Sequence, residues 1–209
     1  MGLGLVVLVI AIGYVIGSFP TAYLVARTKG VDIFAVGSGN MGATNVTRAV
    51  GMRYGLLVWA IDGVKGILAI LLARLIVPDY QTTASVLAAV AAVAGHNWSL
   101  LATLLTGSIR GGKGAATAMG TFILLAPTLL VALVLAIAMA IVLLMRYVSL
   151  GVLTAVAVAG IAFLALVLAG WMDPIYTVYL LAGWMVFVRH RANIVRLLAG
   201  TERRLGERA

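Results

Sequence analysis

Long apolar runs separated by short polar stations rich in glycine and basic side chains make up almost the whole chain. The runs lie at 3–26, 54–77, 83–105, 114–145, 149–170 and 174–188. Each is apolar on every face rather than along one stripe, the pattern of helices solvated by lipid. The fourth run is too long for one crossing. At about 1.5 Å per residue it would make a helix of roughly 48 Å, against a hydrocarbon core of about 30 Å. A turn near Pro127 divides it in two, and the division also gathers charge. Arg27, Lys29, Arg48, Arg53, Arg110, Lys113 and Arg146 then share one face with the basic tail of Arg189, Arg191, Arg196, Arg203, Arg204 and Arg208. The opposite loops carry Asp79 and Asp173, and only Arg74 lies near that far surface. The positive-inside rule puts the basic face in the cytoplasm. The predicted fold is an all-α, polytopic membrane bundle of seven transmembrane helices, with the amino terminus outside and the carboxyl terminus cytoplasmic.

Composition narrows the class further. A hydrophobic fraction of 64% and a mean hydropathy of +1.16 exclude a water-soluble globular domain. At 209 residues there is room for one bundle with short loops, so a single domain, 1–209, is expected. The first run has no basic flank ahead of it and exceeds a signal-peptide core, so it reads as a retained span. Cysteine is absent, which removes disulfides, thiolate metal sites and a thiol nucleophile. The net charge of +9 lies on one face, where it suits anionic lipid and topology rather than nucleic acid.

The polar stations carry the candidate chemistry. Gly37-Ser38-Gly39-Asn40 and Gly111-Gly112-Lys113-Gly114 are glycine turns beside cations. A charge that only anchors a helix needs no glycine around it, whereas backbone that must approach an anion closely does. Two nucleotide fingerprints are rejected. Gly37 to Gly42 matches G-x-G-x-x-G with Asp62 at the ribose distance, but Asp62 lies inside a membrane span. Gly107 to Lys113 matches G-x-x-x-x-G-K, but Gly114 follows where magnesium needs Ser or Thr. Asp62 and Lys65, three apart in the second span, are expected to pair towards the bundle interior, as a structural pair or as part of the cavity lining. His96 reads as a core histidine or a site residue. Ala88, Ala92, Gly160 and Gly183 are expected to permit close helix packing.

Six ordered strings bear on identity: Gly37-Ser38-Gly39-Asn40-Met41-Gly42-Ala43-Thr44-Asn45-Val46-Thr47-Arg48, Asp62-Gly63-Val64-Lys65-Gly66, Gly95-His96, Gly111-Gly112-Lys113-Gly114-Ala115-Ala116-Thr117, Arg146-Tyr147-Val148-Ser149, and His190 through Gly200. Through them the chain resembles the PlsY family, bacterial membrane glycerol-3-phosphate acyltransferases that use acyl phosphate as donor. The resemblance implies transfer of a fatty acyl group to the primary hydroxyl of glycerol 3-phosphate, giving lysophosphatidic acid. It also implies a bacterial inner-membrane location, an active site at the cytoplasmic face and no cofactor or metal. An upstream enzyme forming acyl phosphate is implied as a partner in supply. Ser38, Arg48, Lys113 and Ser149 are the expected catalytic residues. Gly37, Gly39, Asn40, Gly42, Thr44, Asn45, Gly111, Gly112, Gly114, His190 and Asn193 are expected to bind substrate, with Asp62, Lys65 and His96 as further candidates.

The inventory bears on mechanism. Soluble-facing glycerolipid acyltransferases carry His and Asp separated by four residues, but Leu101 and Val195 stand at that offset from His96 and His190. With that dyad missing, the resemblance implies a substrate-assisted route in which a donor phosphate oxygen takes the hydroxyl proton. The chain departs from the family pattern at Ala192, where Glu is usual, and in a longer stretch from His96 to Gly111. The rival reading is a transporter or channel for phosphorylated solutes, since basic residues near broken helices also line ion paths. No internal repeat supports it.

Overall fold

The computed structural model describes residues 1–207. Those residues fold into α-helices, with short 3-10 turns at Pro78–Tyr80 and Pro174–Tyr179. Four segments are long and apolar enough to cross a membrane: Leu3–Arg27, Met52–Ile76, Thr128–Met145 and Val148–Leu168.

The first segment is broken rather than continuous. α1 (Leu3–Gly17) ends at Ser18, and α2 (Thr21–Arg27) restarts after Pro20, which has no N–H to extend the ladder. In lipid the freed carbonyls need partners, and neighbouring elements supply them. The Ser99 hydroxyl donates to the Ser18 carbonyl at 2.5 Å, and the Lys65 ammonium donates to that of Phe19 at 3.1 Å. Hydropathy alone did not reveal the break.

After α3 (Ala43–Val50), the long α4 (Met52–Ile76) leads to α5 (Gln81–Asn97), the most enclosed helix of the bundle. Small residues make that enclosure possible. A methyl group on Gly13 or Gly17 of α1 would collide with the carbonyls of Ala88 and Ala92 of α5, and one on Gly95 would strike that of Tyr14. Without hydrophobic drive between helices in lipid, such backbone-close contact is what holds them together. The expected packing role of Ala88 and Ala92 is met here.

α6 (Leu100–Thr106) is separate from α5, so the apolar run 83–105 is a helix followed by a short excursion, not one span. Ser99 caps α6 by accepting from the Ala102 amide at 3.0 Å, and a bridge from Ser99 to Arg110 closes the loop behind it. α7 (Ala115–Leu125) and α8 (Thr128–Met145) divide the long fourth run at Ala126-Pro127, where the turn was expected. α8 packs mainly against α9 (Val148–Leu168), and Val134 is its one buried residue. α10 (Leu180–Arg189) and α11 (Arg191–Leu198) meet at His190.

The two ends of the bundle differ in chemistry. At one end Met41 N–H donates to the Gly111 carbonyl, Lys113 reaches Asn193, and the tail returns so that Leu205 N–H donates to the Arg146 carbonyl. At the other, Arg74 donates to the Ser85 hydroxyl at 2.8 Å and the Leu124 carbonyl at 3.3 Å.

Candidate active site

A cavity of about 810 Å³ opens at the glycine-rich end and runs down between α4 and α7 on one side and α8, α9 and α10 on the other. Its lower part is apolar, reaching Phe163, Leu164, Leu180 and Trp184. Gly160 and Gly183 also line it, so these two glycines leave room in the groove in addition to easing helix contact. Its upper part holds Ser38, Arg48, Lys113, Ser149, His190 and Asn193, drawn from four separate stretches of the chain. A smaller recess of about 120 Å³ adjoins it, bounded by Gly37, Ser38, Arg48, Arg196, Glu202 and Arg203.

The first glycine loop is shaped from within by Asn45. Its Oδ1 accepts from the Ser38 amide at 3.0 Å, and its Nδ2 donates to the carbonyls of Ile33, Val36 and Asn40 at 3.1–3.2 Å. Expected as a substrate ligand, Asn45 has its amide committed to the loop and serves as a staple. Gly37 adopts a φ of 57° with Asn45 Oδ1 where a side chain would stand, so glycine is required there. Asn40, Gly42 and Thr44 border the cavity, while Gly39 supplies a second left-handed turn without lining it.

The second loop divides its glycines similarly. Gly111 and Gly112 lie behind the cavity, not on it: a methyl on Gly111 would meet the Asn97 carbonyl, and one on Gly112 would meet the His96 ring. Their contacts are with the end of α5, which explains glycine at both positions by packing. Gly114, at a φ of 78°, starts α7 and does line the cavity with Lys113, Ala115 and Ala116. The amides of Lys113, Gly114, Ala115 and Ala116 donate to no backbone carbonyl among the described residues. A helix amino terminus with free amides beside an ammonium suits an anion.

One carboxylate organises the cations, and it was not among the expected site residues. Glu202 accepts from the Ser149 hydroxyl at 2.7 Å, the Asn193 amide at 2.6 Å and Arg196 Nε at 2.7 Å. Burial pushes its carboxyl up, but the hydrogen bonds from Ser149, Asn193 and Arg196 outweigh that and hold it below the ordinary glutamate value. Asn193 Oδ1 in turn accepts from the Lys113 ammonium at 2.6 Å. Glu202 sits in a tail otherwise read for its arginines. An acid six residues beyond Arg196, in a tail otherwise dominated by arginine, was the available signal.

Arg48 makes no hydrogen bond or ion pair among the described residues, although it borders both cavity and recess. Burial, then the charges of Arg203 and Arg196, lower its pKa, yet a guanidinium remains charged at any physiological pH. Burial lowers Lys113 to about 8, with Glu202 pulling the other way. His190 is pushed down by burial to about 4 and is therefore neutral. Its Nδ1 lies 2.8 Å from the Val186 carbonyl, which can only accept, so Nδ1 carries the proton and Nε2 is left as an acceptor. The helix breaks at His190, so helical spacing does not align it with Asn193. Both are buried and both border the cavity nevertheless.

Asp62 and Lys65 pair at 2.7 Å inside α4, as expected. Asp62 also accepts from the Thr21 hydroxyl at 2.9 Å and reaches the cavity wall, whereas Lys65 turns to the Phe19 carbonyl at the break in the first span. His96 borders the cavity with its Nδ1 3.7 Å from Asp62. Among the described residues no group of His, Cys, Asp and Glu is arranged to hold a metal.

The fold and the site define an integral membrane protein whose polar, cationic chamber on top of an apolar groove suits an amphiphile with an anionic head. The family model described as glycerol-3-phosphate acyltransferase matches residues 7–200. A glycerol-3-phosphate acyltransferase of Thermus thermophilus is 45% identical, the match covering 95% of this chain and 94% of that one. The Deinococcus radiodurans glycerol-3-phosphate acyltransferase 1 is also 45% identical, over 96% of each. Among solved structures, the glycerol 3-phosphate form of PlsY, an integral membrane glycerol 3-phosphate acyltransferase, superposes with a TM-score of 0.82 at 36% identity, covering 96% of both chains. Its lysophosphatidic acid form gives 0.80 at the same identity, covering 96% of this chain and 95% of that one. The chain belongs to the PlsY-type glycerol-3-phosphate acyltransferase family.

Proposed function

We propose that the protein transfers a fatty acyl group from acyl phosphate to the sn-1 hydroxyl of glycerol 3-phosphate, releasing lysophosphatidic acid and inorganic phosphate. The observation that carries this reading is Arg48, unpaired among the described residues, together with Lys113 at the mouth of an apolar groove. Two phosphates need cations and free amides, and an acyl chain needs the groove. Arg48, Lys113, the amides at the start of α7 and Ser38 hold phosphate. His190 Nε2 accepts from a glycerol hydroxyl, and Asn193 and Ser149, set by Glu202, frame the same moiety.

An acyl phosphate is already activated, so orientation and charge stabilisation suffice. The glycerol hydroxyl oxygen attacks the acyl carbon, and the bond from that carbon to the phosphate oxygen breaks. A donor phosphate oxygen takes the hydroxyl proton, and phosphate leaves with it. No covalent enzyme intermediate forms.

The same reading places the site at the cytoplasmic face of a bacterial inner membrane. It supports seven passes, made by α1 with α2, α4, α5, α7, α8, α9, and the 174–189 segment, with the amino terminus outside. The basic loops and tail lie together at the site end, which supports that orientation. Purified protein in lipid supplied with both substrates tests the activity, with equimolar lysophosphatidic acid and phosphate expected. Equal turnover with acyl coenzyme A would overturn the substrate-assisted step, because a thiolate leaving group has no phosphate oxygen to take the proton.

A further inference from the structure

Arg189 is the last residue of α10, and its position at a basic membrane face is that of a topology-setting charge. Its contacts are different. The Nε donates to the Gly112 carbonyl at 2.8 Å and the Nη2 to the Gly111 carbonyl at 3.4 Å. The guanidinium lies 6.0 Å from the centre of the Trp98 ring, whose own main-chain carbonyl is held by the Tyr14 hydroxyl at 2.6 Å. Among the described residues Arg189 has no carboxylate partner. A half-buried guanidinium directed onto two consecutive backbone carbonyls is doing more than facing the lipid headgroups.

The same turn is gripped from two other sides. The Gly111 carbonyl also accepts the Met41 amide at 3.3 Å, which joins the second glycine loop to the first. The Gly112 amide donates to the His96 carbonyl at 2.9 Å, which joins it to the end of α5. Glycine pairs are conformationally free on their own, and Lys113 follows directly. With both carbonyls and the Gly112 amide engaged, Lys113 departs from a fixed backbone.

We propose that Arg189 is a positioning residue: its two-pronged grip on Gly111 and Gly112 fixes the turn that delivers Lys113 to the substrate phosphate. It acts on the substrate only through that turn. Lysine is a poor substitute, because an ammonium is a point donor whereas the planar guanidinium can address two carbonyls at once. The inference rests on the acyltransferase reading above.

The test is a double-mutant cycle of Arg189→Lys and Arg189→Ala, each in the parent and in the Lys113→Ala background. Turnover and the dissociation constant for glycerol 3-phosphate are read on protein whose elution and thermal midpoint match the parent. Expected is a loss in kcat/KM of about tenfold for Arg189→Lys and more for Arg189→Ala, each shrinking towards none once Lys113 is absent. Arg189→Lys at parental activity and affinity would overturn the proposal, since charge alone would then suffice, and so would losses of equal factor in both backgrounds. A parent that binds glycerol 3-phosphate but makes no product refutes the acyltransferase reading instead, and the binding arm still decides the role of Arg189.

Discussion

Lys113 sits where a phosphate charge is to be met, and burial has brought its pKa down to about 8. The sign of the consequence is fixed: the ammonium is present below that value and is lost as pH rises through it. The kcat/KM profile, which reports the free enzyme, is expected to fall above about pH 8, and Lys113→Arg is expected to move that fall upward. Lys113→Ala should lower kcat/KM by about a hundredfold or more, read by lysophosphatidic acid formation on protein that still elutes as the parent does. Asn45 calls for a different measurement. Asn45→Ala removes the four side-chain hydrogen bonds that Asn45 makes within the first loop, and the carbonyls left behind should cost about 2–3 kcal/mol, seen as a lowered thermal midpoint. Both glycine turns and their cations were legible as residues because glycine beside lysine has few uses inside a membrane protein. The division of labour within them was not, since the Asn45 amide is committed to the loop and Gly112 is set against the His96 ring only once α3 and α5 are in place.

At the scale of elements, proline was a good guide in one place and an overlooked one in another. Pro127 was read because the run around it is too long for one crossing. Pro20 was passed over because the run 3–26 has the length of a single span. The excursion after Asn97 was missed for a related reason: Leu100, Leu101, Leu104 and Leu105 look like membrane sequence, although Asn97-Trp98-Ser99 interrupts it with polar groups. The break at Pro20 makes Lys65 an element-level residue, bound at once to Asp62 and to the Phe19 carbonyl. Lys65→Met strands a buried carboxylate and should cost about 3–5 kcal/mol, measured by thermal unfolding in detergent. If α1 and α5 are held by close backbone approach, Gly17→Val should be at least as damaging by the same measurement, because the Ala92 carbonyl leaves no room.

For the molecule as a whole, the absence of cysteine makes topology directly measurable. Single substitutions Ser38→Cys and Arg203→Cys are expected to react with an impermeant maleimide from one side of sealed vesicles, and Asp79→Cys and Asp173→Cys from the other. Ser38→Cys and Asp79→Cys reacting from the same side would end the seven-pass arrangement. Fold class and the face bearing the site could be read from charge and hydropathy, which act over the length of a span. Glu202 could not, because its significance depends on Ser149 and Asn193, residues that precede it by 53 and 9 positions.

That dependence has a temporal side. Ser149 and Asn193 are synthesised well before Glu202, and the chain must also bring Leu205 back to the Arg146 carbonyl to seat the tail. The residues that present Ser149 and Asn193 are therefore polymerised before the carboxylate that ties them together. Until Glu202 is made, Ser149, Asn193 and Arg196 lack the acceptor that joins them, so the final shape of the chamber waits on a residue that belongs to no helix.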